Sequence, residues 1–131
     1  MTSEPRWLTK ESLLVLHDRS LALHGGLAGM RDEGLLDSAL ARPRNHLLYN
    51  GVDDIIELAA IYAAAGSGNH PFIDGNERTA FLALGLFLEK NGKILIAEQA
   101  DAARTMLRLA AGEISTEELA AWLAGVVSEK D

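Results

Sequence analysis

Hydrophobic side chains recur along this chain at intervals that predict helices over most of its length. Thr9 can cap a first helix. The approximate apolar stripe of that helix consists of Leu13, Leu14, Leu16, Leu21 and Leu23. The helix should end at His24, because the two glycines that follow permit a left-handed turn. A glycine-rich stretch then precedes a short helix, LLDSALARP, which we expect Pro43 to stop.

Two later segments are apolar on nearly every face. The first, DDIIELAAIYAAAGS, can start at Asp53 or in the turn before it, and the second, NERTAFLALGLFLEKNG, should stop at Asn91. A helix that is hydrophobic all round belongs in the centre of a protein. We therefore expect these two helices to form the middle of the fold.

The rest of the chain adds smaller elements. The stretch KILI is at most one short strand, while AEQADAARTMLRLAAG and STEELAAWLAGVV are amphipathic helices. The second of these opens with a capping box of Ser115 and Glu118. No linker, repeat or low-complexity segment divides the chain. We predict one all-α domain over residues 1–131, a compact bundle of about six helices around the two central ones, with a short flap or hairpin.

Composition narrows the classes of function. The 131 residues can bury a single core, and the absence of cysteine excludes disulfides and thiolate catalysis and suits a cytoplasmic protein. The first residues do not resemble a signal peptide, and no uncharged run is long enough to span a membrane. A formal charge of −7 argues against a general nucleic-acid surface, so an anionic substrate must be held by a local device.

The connection between the two central helices, HPFIDGNERTA, is unusually polar for its position. The proline that follows His70 disfavours helical dihedrals there, so the first central helix should end at this histidine. Phe72 and Ile73 can anchor the loop in the core. Gly75 allows a tight or left-handed turn, and Asn76 stands where the second helix begins. The packing of both helices should hold this loop rigidly.

The residue types in this loop suit the transfer of a phosphorus group to a hydroxyl. A glycine-bearing turn that opens a helix presents free N–H groups and the positive end of the helix dipole to phosphate. Arg78 adds a guanidinium fork, and Asp74 is an oxygen ligand of the kind that Mg²⁺ takes beside substrate phosphates. His70 can act as a general base near neutral pH.

Taken singly, the residues of this loop have structural explanations: a turn, a helix cap, a satisfied helix-end histidine and a surface arginine. Glu77, an acid in the first helical turn, complements the helix dipole. The joint spacing of these residues at one buried helix junction is what favours a function. The remaining histidines have no comparable neighbours and are interpreted as structural or surface residues: His17, His24 and His46.

The loop resembles the signature of the Fic/Doc superfamily, H-P-F-x-D/E-G-N-x-R. The matching positions are His70, Pro71, Phe72, Asp74, Gly75, Asn76 and Arg78. The resemblance is closer to the Doc (death-on-curing) branch and covers essentially the whole chain, since GGLAGMRDEGLLDSALARP and RTAFLALGLFLEKNG are similar to the family's flanking segments. A second arginine, typical of the AMP-transferring Fic enzymes, is replaced here by Phe81.

The resemblance implies a role for each matching residue. His70 would take the proton from a target hydroxyl, Asp74 would hold Mg²⁺, and Arg78 would complete the catalytic set. The phosphates of ATP would be cradled by Gly75, Asn76, Glu77 and Arg78. The segment from Gly25 to Gly34 would be a flap that holds the target, and its central residues are Gly29, Met30, Arg31 and Asp32.

Doc proteins are toxins of toxin–antitoxin operons. The resemblance implies phosphorylation of a threonine of elongation factor Tu and neutralisation by a Phd-type antitoxin in trans, because the self-inhibitory pattern Ser/Thr-x-x-x-Glu-Gly/Asn of some Fic proteins does not occur here. Two alternatives stay open: AMP transfer to a protein hydroxyl, and a catalytically weak binding module. The second arises from Glu77, since Doc proteins usually carry lysine there and AMP-transferring Fic proteins carry glycine.

Overall fold

The computed structural model describes residues 4–130, which form six helices and two short strands. The helices are α1 (Lys10–His24), α2 (Glu33–Asn50), α3 (Ile55–Asn69), α4 (Asn76–Lys90), α5 (Gln99–Ala110) and α6 (Thr116–Ala124). The strands are β1 (Lys93–Leu95) and β2 (Val127–Glu129). The predicted all-α class is confirmed. The predicted caps at Thr9 and Ser115 are confirmed as well, and both are full capping boxes.

Helix α3 is the centre of the bundle and packs against α2, α4, α5 and α6. Its middle is completely buried and rich in alanine, with Leu58, Ala59, Ala60, Ala63 and Ala65 all fully excluded from solvent. Small side chains let neighbouring helices approach closely. A Cβ placed on Gly66 would lie 3.3 Å from the Cβ of Ala80 in α4. This close packing fixes the relative position of α3 and α4, and with it the loop that joins them.

Helix α4 buries one face and leaves another open. Its buried side chains recur at helical spacing, and they are Asn76, Thr79, Ala80, Ala83, Leu84, Phe87 and Leu88. Phe81 is half-buried and Leu82 is 38% exposed, on the side of the helix that borders a cleft. The apolar residues of α4 therefore line two surfaces, the core and this cleft. This is why the sequence of α4 is apolar on nearly every face.

The expectation that Pro43 stops a short helix is wrong, because α2 continues through it to Asn50. A proline inside a helix removes one hydrogen bond and costs roughly 3 kcal/mol. Here Pro43 is buried together with Leu36 and Ala39, at a spacing that places all three on one face of α2. Burial of this face against α3 offsets the local cost of the proline, which sequence propensity alone does not register.

The two strands pair with each other across α5 and α6 rather than forming a hairpin. Lys93 lies opposite Glu129 and Leu95 opposite Val127, in antiparallel register. The sequence had placed the final valines in the last helix, but α6 ends at Ala124. The pairing joins segments that are distant in the chain, so no local sequence pattern predicts it.

Within residues 4–130, no helix is both long and apolar enough to cross a membrane.

Candidate active site

The loop predicted to carry the chemistry begins where α3 ends. The helix ends before His70, as Pro71 led us to expect, and His70 itself adopts a left-handed conformation, with φ 49° and ψ 57°. The last carbonyls of a helix have no intrahelical donor. Arg31 supplies donors from outside the helix. Its Nε donates to the His70 carbonyl oxygen at 2.7 Å, and a terminal nitrogen of its guanidinium donates to the Asn69 carbonyl oxygen at 2.8 Å. The side chain of His70 is exposed.

The side chain of Asn76 bonds back to the main chain of Phe72, within the same loop. Its side-chain oxygen accepts from the Phe72 N–H at 3.0 Å, and its amide nitrogen donates to the Phe72 carbonyl at 2.9 Å. The side chain is buried, and its oxygen and its nitrogen each bond to Phe72. The main-chain N–H of Asn76 is the group that the start of α4 presents to a phosphate. Phe72 is anchored in the core as predicted, whereas Ile73 is 52% exposed and is not.

Gly75 opens α4 in the left-handed conformation, with φ 76°. The first hydrogen bond of this helix runs from the Thr79 N–H to the Gly75 carbonyl at 3.0 Å. The N–H groups of residues 76–78 therefore have no helical acceptor, which is the usual state of a helix start. Together with the positive end of the dipole, they make this turn suitable for an anion.

The flap lies antiparallel along the loop and is bonded to it. The N–H groups of Arg31 and Asp32 donate to the Pro71 carbonyl at 2.8 and 3.1 Å, and the Ile73 N–H donates to the Gly29 carbonyl at 3.1 Å. Between these bonds, Met30 pairs with Phe72 as an isolated bridge. Gly29 has a φ of 126°, and a Cβ there would lie only 2.7 Å from Ile73 Cδ1. The predicted flap residues are thus brought directly beside the loop between α3 and α4.

Asp74 is held at both carboxylate oxygens. Oδ2 accepts from the Leu27 N–H at 3.1 Å, and Oδ1 accepts from the Gly75 N–H at 2.8 Å. These two hydrogen bonds lower the pKa of the Asp74 carboxyl below its ordinary value of 3.8, and the nearby charge of Arg78 lowers it further. The carboxylate is therefore ionised at neutral pH. Each oxygen keeps a lone pair in solvent, so the group suits a divalent cation.

Residues 4–130 contain no cluster of three or more histidine, aspartate or glutamate side chains that could enclose a metal. A single carboxylate is nevertheless the protein contribution that Mg²⁺ often takes when substrate phosphates and water supply the other ligands. The donor set at Asp74 therefore fits a magnesium–nucleotide complex better than a resident metal.

A cleft of about 750 Å³ adjoins Asp74 and lies between α1, α4 and α5, which is a volume typical of small-molecule sites. Its polar edge consists of Asp74, Gly75, Glu77 and Arg78. Its apolar wall includes Phe81, Leu95 and Met106. Glu77 is half-buried and is one of the residues that line this edge.

The sequence analysis missed the contribution of α1. His17 was interpreted as having no comparable neighbours, but it is buried, stacks on Phe72, and places Nε2 2.8 Å from the Asp74 carbonyl oxygen. Ser20 and His24 border the cleft. The spacing of these three residues puts them on one face of a helix, which was the available signal. His46, by contrast, lies near the far end of α2 beside Asn50.

Comparison with known proteins identifies the family of this chain. The family model described as "Fic/DOC family" matches residues 7–88. The chain is similar to "Protein kinase doc" of Escherichia phage P1, with 34% identity over 115 residues that cover 88% of this chain and 90% of the relative. It is also similar to "Toxin Doc" of Mycolicibacterium smegmatis, with 39% identity over 106 residues that cover 77% and 80%. The chain belongs to the Fic/DOC family, and within that family to its Doc branch.

Proposed function

We propose that this protein is a Doc-like toxin that transfers a phosphoryl group from ATP to a hydroxyl of a protein. The observation that carries the proposal is the meeting of Asp74, the glycine turn at the start of α4, and Arg78 at one edge of a cleft of suitable size. The names of the two relatives, a kinase and a toxin, support the same activity and the same biological role.

Each group of the site has a separate role in the proposed phosphoryl transfer. The N–H groups at the start of α4 and the guanidinium of Arg78 bind phosphate oxygens. Asp74 holds Mg²⁺, which when bound would neutralise charge on the phosphates. His70, exposed beside the flap, accepts the proton of the attacking hydroxyl and so makes it a better nucleophile. The flap presents the target segment along the loop.

The proposed acceptor is a threonine of a translation protein such as elongation factor Tu. The proposed partner is a Phd-type antitoxin in trans, because the chain lacks the self-inhibitory pattern that would pair with Arg78. Phosphorylation of a translation factor would explain growth arrest when the toxin is free of its antitoxin. Expression without the antitoxin is therefore expected to slow growth of the host.

A second candidate function is AMP transfer from the same nucleotide. Phe81, in place of a second arginine, lies on the apolar wall of the cleft and offers no donor to a further phosphate, which favours phosphoryl transfer. The third possibility, a catalytically weak binding module, depends on Glu77. Its carboxylate at the polar edge of the cleft would repel phosphate if it faces the ligand.

The test is incubation of the purified protein with Mg²⁺, a bacterial lysate, and ATP labelled at either the γ or the α phosphate. Label transferred from the γ position alone supports the kinase. Label from the α position shows AMP transfer, and no label from either supports the binding module. His70→Ala is the matched control, and it should abolish transfer while leaving nucleotide binding and thermal stability nearly unchanged.

A further inference from the structure

The imidazole of His17 is built into the underside of the catalytic loop. His17 is 4% exposed, and its ring stacks on that of Phe72 with centroids 3.8 Å apart and planes inclined by 8°. Its Nε2 lies 2.8 Å from the main-chain oxygen of Asp74. Because a carbonyl oxygen only accepts hydrogen bonds, Nε2 carries the hydrogen and donates it. A buried side chain thus holds one specific peptide group of the loop.

We propose that His17 is a positioning residue whose Nε2–H fixes the peptide between Asp74 and Gly75, and thereby the metal-binding carboxylate of Asp74. This inference rests on the proposed nucleotide site. It goes beyond that site because it assigns a function to a side chain of α1 that touches neither phosphate nor metal.

The peptide between Asp74 and Gly75 has one restraint within its own two residues, the bond from the Gly75 N–H to the exposed side chain of Asp74. Gly75 has a φ of 76°, and a glycine adopts other backbone conformations at little steric cost. The hydrogen bond from His17 joins this peptide to a buried side chain of α1. It therefore favours one orientation of the peptide.

Rotation of this peptide would disturb the metal-binding side of the site. The Gly75 N–H belongs to it and donates to Asp74 Oδ1 at 2.8 Å, so rotation would break that bond and release the carboxylate on one side. The packing of α4 holds the N–H groups that follow. One hydrogen bond from α1 therefore supports the geometry of the metal ligand.

The alternative is that His17 only fills space beneath Phe72. Two substitutions separate these roles. His17→Phe keeps an aromatic ring for the stack but removes the donor, whereas His17→Gln removes the ring but can place an amide N–H near the position of Nε2. Loss of packing should destabilise His17→Gln more than His17→Phe. Loss of the Nε2–H donor should change the exchange rate of the Gly75 amide and the affinity for Mg²⁺–ATP only in His17→Phe.

The first measurement is the hydrogen-exchange rate of the Gly75 amide by NMR, in the absence of nucleotide. We expect the rate to rise about tenfold in His17→Phe, the effect of losing one hydrogen bond, and to stay near the wild-type rate in His17→Gln. Equal rates in wild type and His17→Phe would overturn the proposal. An equal rise in both variants would also overturn it, because that outcome follows lost packing. If His17→Phe does not fold, His17→Met replaces it with the same expectation.

The second measurement is the affinity for Mg²⁺–ATP by calorimetric titration. We expect it to weaken about tenfold in His17→Phe and to be retained in His17→Gln. Affinity that instead follows thermal stability across the variants would refute the positioning role. A wild-type protein that binds no Mg²⁺–ATP would overturn the proposed function, and the exchange rates would still decide the role of His17.

Discussion

Arg31 holds the main chain of His70, with its Nε 2.7 Å from the His70 carbonyl oxygen. The same guanidinium reaches the carbonyl of Asn69, so the flap caps the end of α3. His70 stands in a left-handed conformation, which costs a residue other than glycine of order 1 kcal/mol or more. The direction of the proposed base therefore depends on a contact supplied by the flap.

Arg31→Met should lower kcat for phosphoryl transfer by roughly tenfold to a hundredfold, because hydrogen bonds from a charged donor to both carbonyls are lost. Affinity for Mg²⁺–ATP should not change, since the start of α4 is untouched. Steady-state kinetics check this. Arg42→Met is the matched control, because Arg42 donates to the side chain of Asn69, at 3.0 Å, and to no main-chain carbonyl within residues 4–130. If Arg31→Met raises KM for the target and leaves kcat intact, Arg31 docks the target instead of positioning His70.

Asn76→Ala should reduce the free energy of unfolding by about 2–4 kcal/mol, because it leaves the N–H and the carbonyl of buried Phe72 without partners. Denaturant titration measures the change. Asn45→Ala, at an exposed position of α2, should alter stability by less than about 0.5 kcal/mol. Equal effects of the two substitutions would show that the side-chain bonds of Asn76 contribute little.

Glu77→Lys should tighten the binding of Mg²⁺–ATP, because it exchanges a repulsive charge for an attractive one at the polar edge of the cleft. It should also cost roughly 0.3–1 kcal/mol of stability, since a cation replaces an acid at the positive end of a helix dipole. Glu57→Lys makes the same exchange in the exposed first turn of α3, so it should lose stability without gaining affinity. Calorimetric titration that finds equal affinities for wild type and Glu77→Lys would place the carboxylate away from the phosphates.

Acid should destabilise the wild type more than Asp74→Asn. Hydrogen bonds from Leu27 and Gly75 lower the pKa of the Asp74 carboxyl in the folded state, so its ionised form favours folding. That contribution is present above the unfolded-state pKa of about 3.9 and is lost as pH falls through the lower folded-state pKa. The stabilities of the two proteins, measured by denaturant titration between pH 7 and pH 3, should therefore begin to converge as pH falls below about 4. Parallel curves over that range would contradict the assignment.

The sequence alone determined the helical class, the central position of α3 and the loop at its end. These features depend on local chemistry: alanine and leucine on every face of one helix, a proline after His70, a glycine before Asn76. Each acts within a few residues of itself, so its effect can be read from neighbours in the chain. The same locality explains the two correctly placed helix caps, at Thr9 and Ser115.

The tertiary structure decided what depends on residues far apart in the chain. Burial of one face of α2 carries the helix through Pro43, and β1 finds its partner more than thirty residues away at the end of the chain. His17 reaches a peptide 57 positions later. Such contacts are stabilised by packing and hydrogen bonds that form only once α1, α3 and α4 are assembled, so no stretch of sequence could reveal that His17 lies beneath Asp74.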